Sequence, residues 1–465
     1  MTIGKYVKLS EVAQQLNARL LGADAAFARV STDTRTIAQG DLFVALKGDQ
    51  FDGHDYVAQA FEKGAVAAMV SRTLPGAHSL LLVEDTLRGL GQLSAVWTQQ
   101  FHPQKVAITG SCGKTTLKEM VAAILSCEGP TLATRGNLNN EIGVPLTLLQ
   151  LQPDHDYAVV ECGANHVGEI AYTAGLVQPD VAIVNIVAPA HLEGFGSIER
   201  VAQAKGEIYG ALKPEGVAII NLDDAYASRY LSQTAGHRQL TFALMNPHAD
   251  VYAEQVELDA QGVYRIKVRS PGGALNVVLP LLGLHNVRNA LAACAIALAL
   301  KIPAAAICQG LQQVKPAKGR LYPVNDIPGF HIIDDTYNAN PASVKAAIDV
   351  LAQAGENTCL VLGGMGELGE TSDDMHAEVG VYAAEKGIAS VYSLGPAAVH
   401  YQRGFDSVSA AKGRFFACED HAAIARALQQ NERNRMILIK GSRSTAMEKV
   451  IEALRALTCK HEEQP

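Results

Sequence analysis

Short apolar runs and helix-like spacings of apolar residues alternate along nearly the whole chain of 465 residues. A short continuous apolar run between turn residues is typical of a buried strand, whereas apolar residues at positions i, i+3 and i+4 are typical of a helix. Regular alternation of the two predicts an α/β protein with mostly parallel sheets, because a helix must return the chain between parallel strands. We divide the pattern into a small α/β domain at 1–84, a central parallel-sheet domain at 85–315 and a C-terminal Rossmann-like α/β domain at 316–465.

The first unit combines a weak helical spacing with apolar runs. Ser10 can cap a short helix that carries Val12, Leu16 and Leu20. Strands are predicted at 41–46, 65–70 and 79–83, with a helix at 56–63. Two polar loops, 31–35 and 47–54, have the Gly and Asp content of turns. On composition alone, such loops are more often solvated turns than binding sites.

The second and third units repeat the alternation of strands and helices. In the second unit a lead-in helix at 86–100 precedes strands at 105–108, 157–161, 181–187 and 217–222. Alternating short segments at 238–280 predict appended antiparallel strands, and an apolar helix follows at 283–300. In the third unit, strands are predicted at 331–335, 358–364, 390–394, 414–418 and 435–441. Asn340 before Pro341, and Asp420, are typical of residues that begin helices.

The most informative stretch is the glycine turn at 110–116, which lies between a predicted strand and an amphipathic helix. A helix that begins after such a turn directs unpaired N–H groups and its positive dipole end at the turn, so a phosphate chain can bind there. Gly110 and Gly113 allow close backbone approach, Lys114 supplies a charge, and the Thr115 hydroxyl can reach Mg²⁺. The longer form of this motif has another glycine where Ile108 stands. We therefore interpret the stretch as a short nucleotide-binding phosphate loop.

Two further polar side chains follow predicted strands of the same sheet. Glu161 ends one strand, and His191 follows the next. In a parallel sheet, ligands bind beyond the carboxyl ends of the strands, so Thr115, Glu161 and His191 can converge on a magnesium site. Taken singly, Glu161 is equally compatible with a solvated strand end and His191 with a hydrogen-bonded loop residue. The pattern alone predicts an ordinary surface lysine at Lys205.

Composition and charge narrow the class of protein. The chain is 48% hydrophobic and 18% charged, which is ordinary for a globular protein, and its formal net charge is -8. An acidic chain without a sustained basic run argues against a nucleic-acid partner. Eight scattered cysteines without a Cys-x-x-Cys pair indicate buried thiols in a reducing compartment. With no signal-peptide core and no apolar run of membrane-spanning length, we expect a cytoplasmic protein without membrane insertion.

Six motifs in this order are similar to those of the Mur ligases, and the resemblance runs from about residue 30 to 450. They are Thr109-Gly-Ser-Cys-Gly-Lys-Thr-Thr, Asn137-Leu-Asn-Asn-Glu-Ile-Gly-Val-Pro, Glu161-Cys-Gly-Ala-Asn-His-Val-Gly-Glu-Ile, Ala190-His-Leu-Glu-Gly-Phe-Gly-Ser, Gly283-Leu-His-Asn-Val-Arg-Asn-Ala and Asp334-Asp-Thr-Tyr-Asn-Ala-Asn-Pro. Within the family, the resemblance is greatest to members that add D-alanyl-D-alanine to UDP-N-acetylmuramoyl-tripeptide in peptidoglycan precursor synthesis. It implies an ATP-dependent amide ligase that acts through an acyl phosphate, and we expect a bacterial monomer.

The resemblance also implies roles for individual residues. Catalytic roles fall on Lys114, His191 and Lys205. The implied ATP contacts are Gly110, Ser111, Cys112, Gly113, Lys114, Thr115, Thr116, Asn286, Asn289, Arg320 and Asp335. Thr115 and Glu161 would hold one Mg²⁺, and His191 would hold a second together with Lys205 as a carbamate. The implied UDP contacts are Thr34, Arg35, Lys47 and Gly48, which reverses the compositional interpretation of these loops.

This chain departs from the family motifs at two positions. Cys112 stands where the phosphate loop usually has Asn, and Thr34 stands where the first domain usually has Ser. The first position is contacted through its backbone, so the change is expected to matter little. The second touches the implied uridine site.

Three alternative functions remain open from the sequence. The sister ligase that adds the third residue of the peptide typically carries Asp-Asn-Pro-Arg, which is absent here. A folylpolyglutamate synthetase has no UDP-binding first domain, so residues 1–84 argue against it. A nucleotide-switched binding protein without ligase activity is the third alternative, and turnover that required a protein partner would favour it.

Overall fold

The structure is a computed structural model, and it describes residues 7–48, 50–76, 79–189, 192–259, 262–409 and 411–462. Its described residues form one two-stranded and three larger sheets with helices packed on them, which confirms the predicted α/β architecture. None of the described helices is long and apolar enough to cross a bilayer.

The first sheet has the strand order β2-β7-β6-β5-β4, in which β4 to β7 are parallel and β2 is antiparallel. Its strands are β2 (Arg19–Gly22), β4 (Arg29–Ser31), β5 (Asp41–Val44), β6 (Ala67–Val70) and β7 (Ser79–Leu82), and β1 (Val7–Lys8) pairs separately with β3 (Ala26–Phe27). The helices are α1 (Leu9–Leu16) and α2 (Val57–Glu62).

The predicted start and content of the first helix are wrong. Lys8 occupies the cap position, while Ser10 lies inside α1 and its hydroxyl donates to Asp24 Oδ2 at 2.8 Å. Leu20 belongs to β2, because Asn17 adopts the left-handed conformation at φ 50° and ends the helix. A long-range hydrogen bond to a carboxylate therefore outcompetes the local capping preference of serine.

The central sheet has nine strands in the order β16-β15-β14-β13-β12-β11-β8-β10-β9. Its strands are β8 (Gln104–Thr109), β9 (Thr131–Ala133), β10 (Tyr157–Glu161), β11 (Val181–Val184), β12 (Val217–Asn221), β13 (Arg238–Ala243), β14 (Val251–Leu258), β15 (Tyr264–Ser270) and β16 (Gly273–Leu279). Its helices are α3 (Thr86–Thr98), α4 (Lys114–Leu125), α5 (Gly143–Leu148), α6 (Glu169–Val177), α7 (Leu192–Phe195), α8 (Ile198–Gly206), α9 (Ala227–Gln233), α10 (Leu284–Ala299) and α11 (Ala304–Gln313).

The prediction of antiparallel strands at 238–280 is half right. β14, β15 and β16 are joined as antiparallel neighbours, but β13 pairs parallel with β12 and β14 pairs parallel with β13. The helix α9 lies between β12 and β13 and returns the chain, so β13 extends the parallel sheet.

The third sheet has the order β17-β18-β22-β19-β20-β21, with β17 antiparallel and the rest parallel. Its strands are β17 (Tyr322–Val324), β18 (His331–Asp335), β19 (Thr358–Leu362), β20 (Ser390–Leu394), β21 (Arg414–Cys418) and β22 (Met436–Lys440). Its helices are α12 (Pro341–Ala352), α13 (Ser372–Glu385), α14 (Ala398–Asp406), α15 (His421–Asn431) and α16 (Glu448–Glu462). The predicted caps are confirmed, since Asn340 accepts from the Ser343 N–H and Asp420 from the Ala423 N–H.

The central sheet is covered on both faces, and this fixes the strand that carries the phosphate loop. Val106 and Ile108 pack with Leu117 and Val121 of α4, whereas Ala107 belongs to the core formed with α3 and α6. Each fully buried Leu or Ile side chain stabilises the fold by about 1.5–3 kcal/mol. The carboxyl end of β8 is therefore a rigid support for the turn that follows it.

Candidate functional site

A large cleft lies at the carboxyl edge of the central sheet, where the third sheet faces it. It has a volume of about 1010 Å³, and its lining includes residues of the glycine turn, the end of β10 and the start of α10. The third sheet contributes residues from the segments that follow β18 and β22. The predicted residues in the lining are Ser111, Cys112, Gly113, Lys114, Thr115, Thr116, Glu161, Asn286, Asn289, Arg320 and Asp335.

The turn at 110–116 has the shape of a phosphate loop. Gly110 and Gly113 have φ of 150° and 77°, and a side chain at Gly113 would meet Asn185 Nδ2 at 2.6 Å. Both positions therefore need glycine. Lys114 Nζ donates to the Gly110 carbonyl at 2.8 Å, and burial lowers the pKa of this lysine. The first turn of α4 opens toward the cleft, so its free N–H groups can receive an anion.

Thr115, in the first turn of α4, contacts Glu161 at the end of β10. Thr115 Oγ1 donates to Glu161 Oε2 at 2.9 Å, and Asn139 Nδ2 donates to Glu161 Oε1 at 2.8 Å. Glu161 is 2% exposed, and Arg320 Nη2 donates to the Thr115 hydroxyl at 3.0 Å. Hydrogen bonds from Thr115 and Asn139 thus hold both oxygens of the Glu161 carboxylate in one orientation, as a metal ligand requires.

The donor set at Thr115 and Glu161 suits Mg²⁺. A hydroxyl and a carboxylate are hard oxygen ligands, and Mg²⁺ in phosphate sites uses one or two carboxylates together with water and phosphate oxygens. Among the residues that the structure describes, no group of three or more His, Cys, Asp or Glu side chains could hold a metal ion. The described residues therefore fit a metal shared with a bound phosphate, and not a site built from protein ligands alone.

A chain of asparagine amides runs beneath the phosphate loop. Asn185, directly after β11, donates from Nδ2 to the Cys112 carbonyl at 3.1 Å and to Asn289 Oδ1 at 2.9 Å. Asn289 Nδ2 donates in turn to Asn286 Oδ1 at 3.0 Å, and Asn221 Nδ2 donates to the Asn185 carbonyl at 2.8 Å. The chain connects the phosphate loop with the start of α10. Two of its members, Asn286 and Asn289, were predicted; Asn185 and Asn221 were not.

The third sheet contributes a cation and an ion pair to the cleft. The Arg320 guanidinium lies 4.1 Å from the centre of the Tyr337 ring, which fixes its plane toward Thr115. Asp335 Oδ2 pairs with Lys440 Nζ at 2.6 Å, and Lys440 also donates to the Asn338 carbonyl at 2.8 Å. Burial raises the pKa of Asp335, and Lys440 opposes this shift. Sequence reasoning predicted Arg320 and Asp335 but not Lys440.

Cys112 contacts the residue that begins α12, a helix packed on the third sheet. Its Sγ lies 3.5 Å from Asn340 Oδ1 and 3.3 Å from Asn340 Nδ2. Asn340 also caps α12 in a capping box with Ser343. Asn340 therefore connects the start of α12 with Cys112 of the phosphate loop.

Lys205 does not line the cleft, and it is not the surface residue that its pattern predicts. It is 1% exposed on α8, and its Nζ lies 5.8 Å from the centre of the Phe195 ring. In the described part of the chain it has neither a hydrogen bond nor an ion pair. Burial lowers its pKa to about 7, and the charge of Lys114 adds to this shift. His191, predicted to lie beside it, falls outside the described residues.

The first-sheet residues Thr34, Arg35, Lys47 and Gly48 lie outside the cleft. Their two loops follow β4 and β5, which are adjacent parallel strands, so the loops leave the same edge of the sheet. Arg35 pairs with Asp33 at 2.6 Å but stays 86% exposed, and Lys63 Nζ donates to the Thr34 carbonyl at 3.0 Å.

A buried histidine holds the second of these loops in place. His54 Nδ1 lies 2.5 Å from Asp52 Oδ1, and His54 Nε2 accepts from the Ser71 N–H at 2.9 Å. The Gly48 N–H donates to the Phe51 carbonyl at 2.9 Å within the same turn. Hydrogen bonds from His54 and Arg72 hold the pKa of Asp52 well below its usual range. The local sequence does not reveal the hydrogen bond between His54 and Ser71, because the two residues are 17 positions apart.

Comparison with known proteins gives full-length matches. Three family models match, described as Mur ligase family, catalytic domain at residues 26–79, Mur ligase middle domain at 108–297 and Mur ligase, glutamate ligase domain at 319–443. A relative from Escherichia coli K12 named UDP-N-acetylmuramoyl-tripeptide--D-alanyl-D-alanine ligase is 44% identical over 451 residues, covering 96% of this chain and 98% of the relative.

Solved structures match over the same length. A crystal structure of MurF from Acinetobacter baumannii has a TM-score of 0.90 at 38% identity, covering 97% of this chain and 99% of that one. MurF ligase from Thermotoga maritima in complex with ADP has a TM-score of 0.81 at 27% identity, covering 93% and 98%. The similarity thus includes all three of the larger sheets and the cleft between the second and the third.

Proposed function

The chain belongs to the Mur ligase family, and we propose that it joins D-alanyl-D-alanine to UDP-N-acetylmuramoyl-tripeptide in an ATP-dependent reaction. The observation that carries this proposal is the full-length similarity to a ligase of that name. The products are the UDP-linked pentapeptide, ADP and phosphate, so the reaction belongs to peptidoglycan precursor synthesis. This chemistry needs a nucleotide site beside a second substrate, and the cleft offers space for both.

The reaction is an amide ligation in two steps. The terminal carboxylate of the tripeptide attacks the γ-phosphorus of ATP, the bond to ADP breaks, and an acyl phosphate forms. The amine of the dipeptide then attacks the carbonyl carbon, loses a proton, and phosphate leaves. No protein side chain acts as a nucleophile. The protein positions three reactants, and positioning can supply about 7–11 kcal/mol of the barrier.

We assign the phosphate loop to the triphosphate. The N–H groups at 110–116 face the phosphates, and the Lys114 ammonium neutralises charge on the transferred group. The hydrogen bond from Lys114 Nζ to the Gly110 carbonyl supports this role, because it keeps the ammonium at the loop. The amides of Asn286 and Asn289 are assigned to the adenine side, and Arg320 and Asp335 close over the nucleotide.

Thr115 and Glu161 are assigned to a first Mg²⁺, and their oxygen donors and shared hydrogen bond support this. Bound Mg²⁺ supplies charge neutralisation at the transferred phosphoryl group. A second Mg²⁺ at His191 and Lys205 stays a prediction of the family resemblance. Lys205 would serve there as a carbamate, since an ammonium is not a metal ligand.

The environment of Lys205 suits carbamylation. Among the described residues this buried amine has no partner, which favours its neutral form, and the neutral amine adds to the carbon of CO₂ with release of one proton. Carbon-13 NMR of the protein in labelled bicarbonate should show a carbamate signal that Lys205→Met removes. An active wild-type enzyme without that signal would exclude the carbamate and leave the ligase assignment intact.

We assign the chain to three functional units, 1–84 for the UDP precursor, 85–315 for ATP and 316–465 for closure over substrates. Thr34, Arg35, Lys47 and Gly48 are assigned to the UDP group. The exposed Arg35 guanidinium supports this, because it is available to a diphosphate. We further propose a cytoplasmic monomer.

A Lys114→Ala variant tests the assignment of the phosphate loop. We expect turnover to be abolished while the UDP precursor still binds, because the precursor's UDP group is assigned to another domain. The exposed Lys412→Ala serves as the matched control and should retain full turnover. Near-normal turnover by Lys114→Ala would exclude the assigned role.

A further inference from the structure

A second cavity of about 300 Å³ opens at the amino-terminal edge of the central sheet, where β8, β11 and β12 begin. It shares no lining residue with the cleft at the opposite edge. The carboxyl ends of α3 and α6 and the segments that follow them form its walls. Its polar and charged lining includes Gln99, Gln104, Lys105, Gln178, Asp180 and Lys213.

Lys105 is a nearly buried ammonium in this cavity. It is 6% exposed, and strand alternation places it on the face of β8 that also carries Ala107, under α3 and α6. Within the described residues its Nζ has neither a hydrogen bond nor an ion pair, although the cavity provides room for one. The negative dipole ends of α3 and α6 stabilise this ammonium only in part, because burial still lowers its pKa, so the position favours a counter-ion.

The nearby carboxylate is already engaged by other groups. Asp180 Oδ2 accepts from the Lys105 backbone N–H at 2.7 Å, and Asp180 Oδ1 accepts from Lys213 Nζ at 2.7 Å. The lining therefore holds two ammonium groups against one carboxylate, and its other titratable side chain is the exposed His102. Burial lowers the pKa of Lys105 to about 8, so the group is still mostly protonated at pH 7.

We propose that this cavity binds a small anion that carries a carboxylate or phosphate group. Lys105 faces the charge, Lys213 contributes from the rim, and the amides of three glutamines supply further donors. Gln99, Gln104 and Gln178 are exposed, and none of their side chains forms a hydrogen bond within the described part of the chain. The proposal does not depend on the ligase function, because the two sites share no residue.

The site has a direct structural connection to the nucleotide side of the sheet. β8 begins beside Lys105 and ends at Thr109, immediately before the phosphate loop. An anion bound at Lys105 therefore lies at the start of β8, and the phosphate loop follows the opposite end of the same strand.

Calorimetric titration of the full-length protein, saturated with a non-hydrolysable ATP analogue and Mg²⁺, tests the proposal with two probes in separate arms, inorganic phosphate and succinate. Saturation of the nucleotide cleft excludes binding at the phosphate loop. We expect one saturable site for at least one probe, and the responding probe identifies the favoured anion. Absence of saturable binding by both probes would overturn the proposal.

Three variants make the test specific to the cavity. Lys105→Met should weaken binding at least tenfold, while the exposed Lys412→Met should not change it. Asp180→Asn should strengthen binding by about tenfold, because it removes the competing charge and releases Lys213, while its one amide oxygen can still accept from the Lys105 backbone N–H. A stabilising role of Lys105 alone predicts no such gain. Unchanged affinity in both Lys105→Met and Asp180→Asn, with wild-type unfolding temperatures, would contradict the site.

Discussion

Two buried lysines of the central domain show how partners decide the role of a side chain. Lys118 is 2% exposed, and its ammonium donates to the Thr134 carbonyl at 2.7 Å and contacts Glu119. Lys205 is equally buried but has no such partner in the described part of the chain. Because an unpaired buried charge is costly, Lys118 fits a structural role and Lys205 fits a chemical one.

Asn185 is predicted to position the phosphate loop without contacting substrate. Removing its amide in Asn185→Ala frees the Cys112 carbonyl and Asn289, and loss of two buried hydrogen bonds costs about 1–3 kcal/mol. We expect kcat/KM for ATP to fall by about tenfold to a hundredfold, with KM for the dipeptide unchanged. Steady-state kinetics with each substrate varied in turn checks this. An equal rise in KM for ATP and for the dipeptide would contradict it.

His285 is predicted to make the protein sensitive to acid. Burial lowers its pKa to about 4, with Lys440 and Arg288 adding to the shift, so the unfolded state binds its proton more readily. The contribution of His285 to the free energy of unfolding should therefore be constant above about pH 6.5, and it should fall by up to about 3 kcal/mol between pH 6.5 and 4.

Urea unfolding of wild type and His285→Gln at pH 7.5 and 4.5 measures this contribution. The variant should lose less stability on acidification than the wild type. The exposed His248→Gln is the control and should follow the wild type. Equal acid losses in wild type and His285→Gln would rule out the histidine as the cause.

At the scale of elements, two helix caps with the same local geometry are predicted to differ in function. Asn340 begins α12 and contacts Cys112, whereas Asp420 begins α15. Substitution of either by Ala should lower the free energy of unfolding by about 1 kcal/mol. Only Asn340→Ala should also raise KM for ATP, because only this cap touches the phosphate loop. Denaturant unfolding and ATP kinetics together check the pair, and identical kinetics in both variants would contradict the contact.

The same elements show what could be predicted from sequence. The caps of α12 and α15 and the phosphate loop are encoded within a few neighbouring residues, so local pattern was sufficient. The contacts of Asn185 join residues 73 and 104 positions apart, and Arg320 reaches Thr115 over 205 positions. Ser10 was misassigned for the same reason, since its partner Asp24 is 14 residues away. Long-range hydrogen bonds have no local signature.

At the scale of the whole molecule, the third sheet is closed onto the central one. Arg320 Nη2 donates to Thr115 Oγ1 at 3.0 Å, which links the two sheets at the nucleotide cleft. Closure of this kind excludes water, which would otherwise hydrolyse an acyl phosphate. The assembled site therefore depends on a contact between residues that belong to two different sheet units.

Arg320→Ala is predicted to impair closure and turnover. A lost hydrogen bond to a charged group costs about 1.5–3 kcal/mol, which corresponds to a fall in kcat/KM for ATP of about tenfold to a hundredfold. The exposed Arg403→Ala, on α14, is the matched control and should be unaffected. Full activity of Arg320→Ala in steady-state kinetics would contradict the closing role.

Phosphate release from ATP with Mg²⁺ tests the proposed ligase reaction, with UDP-N-acetylmuramoyl-tripeptide and D-alanyl-D-alanine added separately and then together. We predict sustained release only when both substrates are present, together with a product heavier than the tripeptide precursor by the dipeptide. If no phosphate were released with both substrates, but a free amino acid or a folate supported turnover, the proposed substrates would be contradicted and a sister ligase indicated.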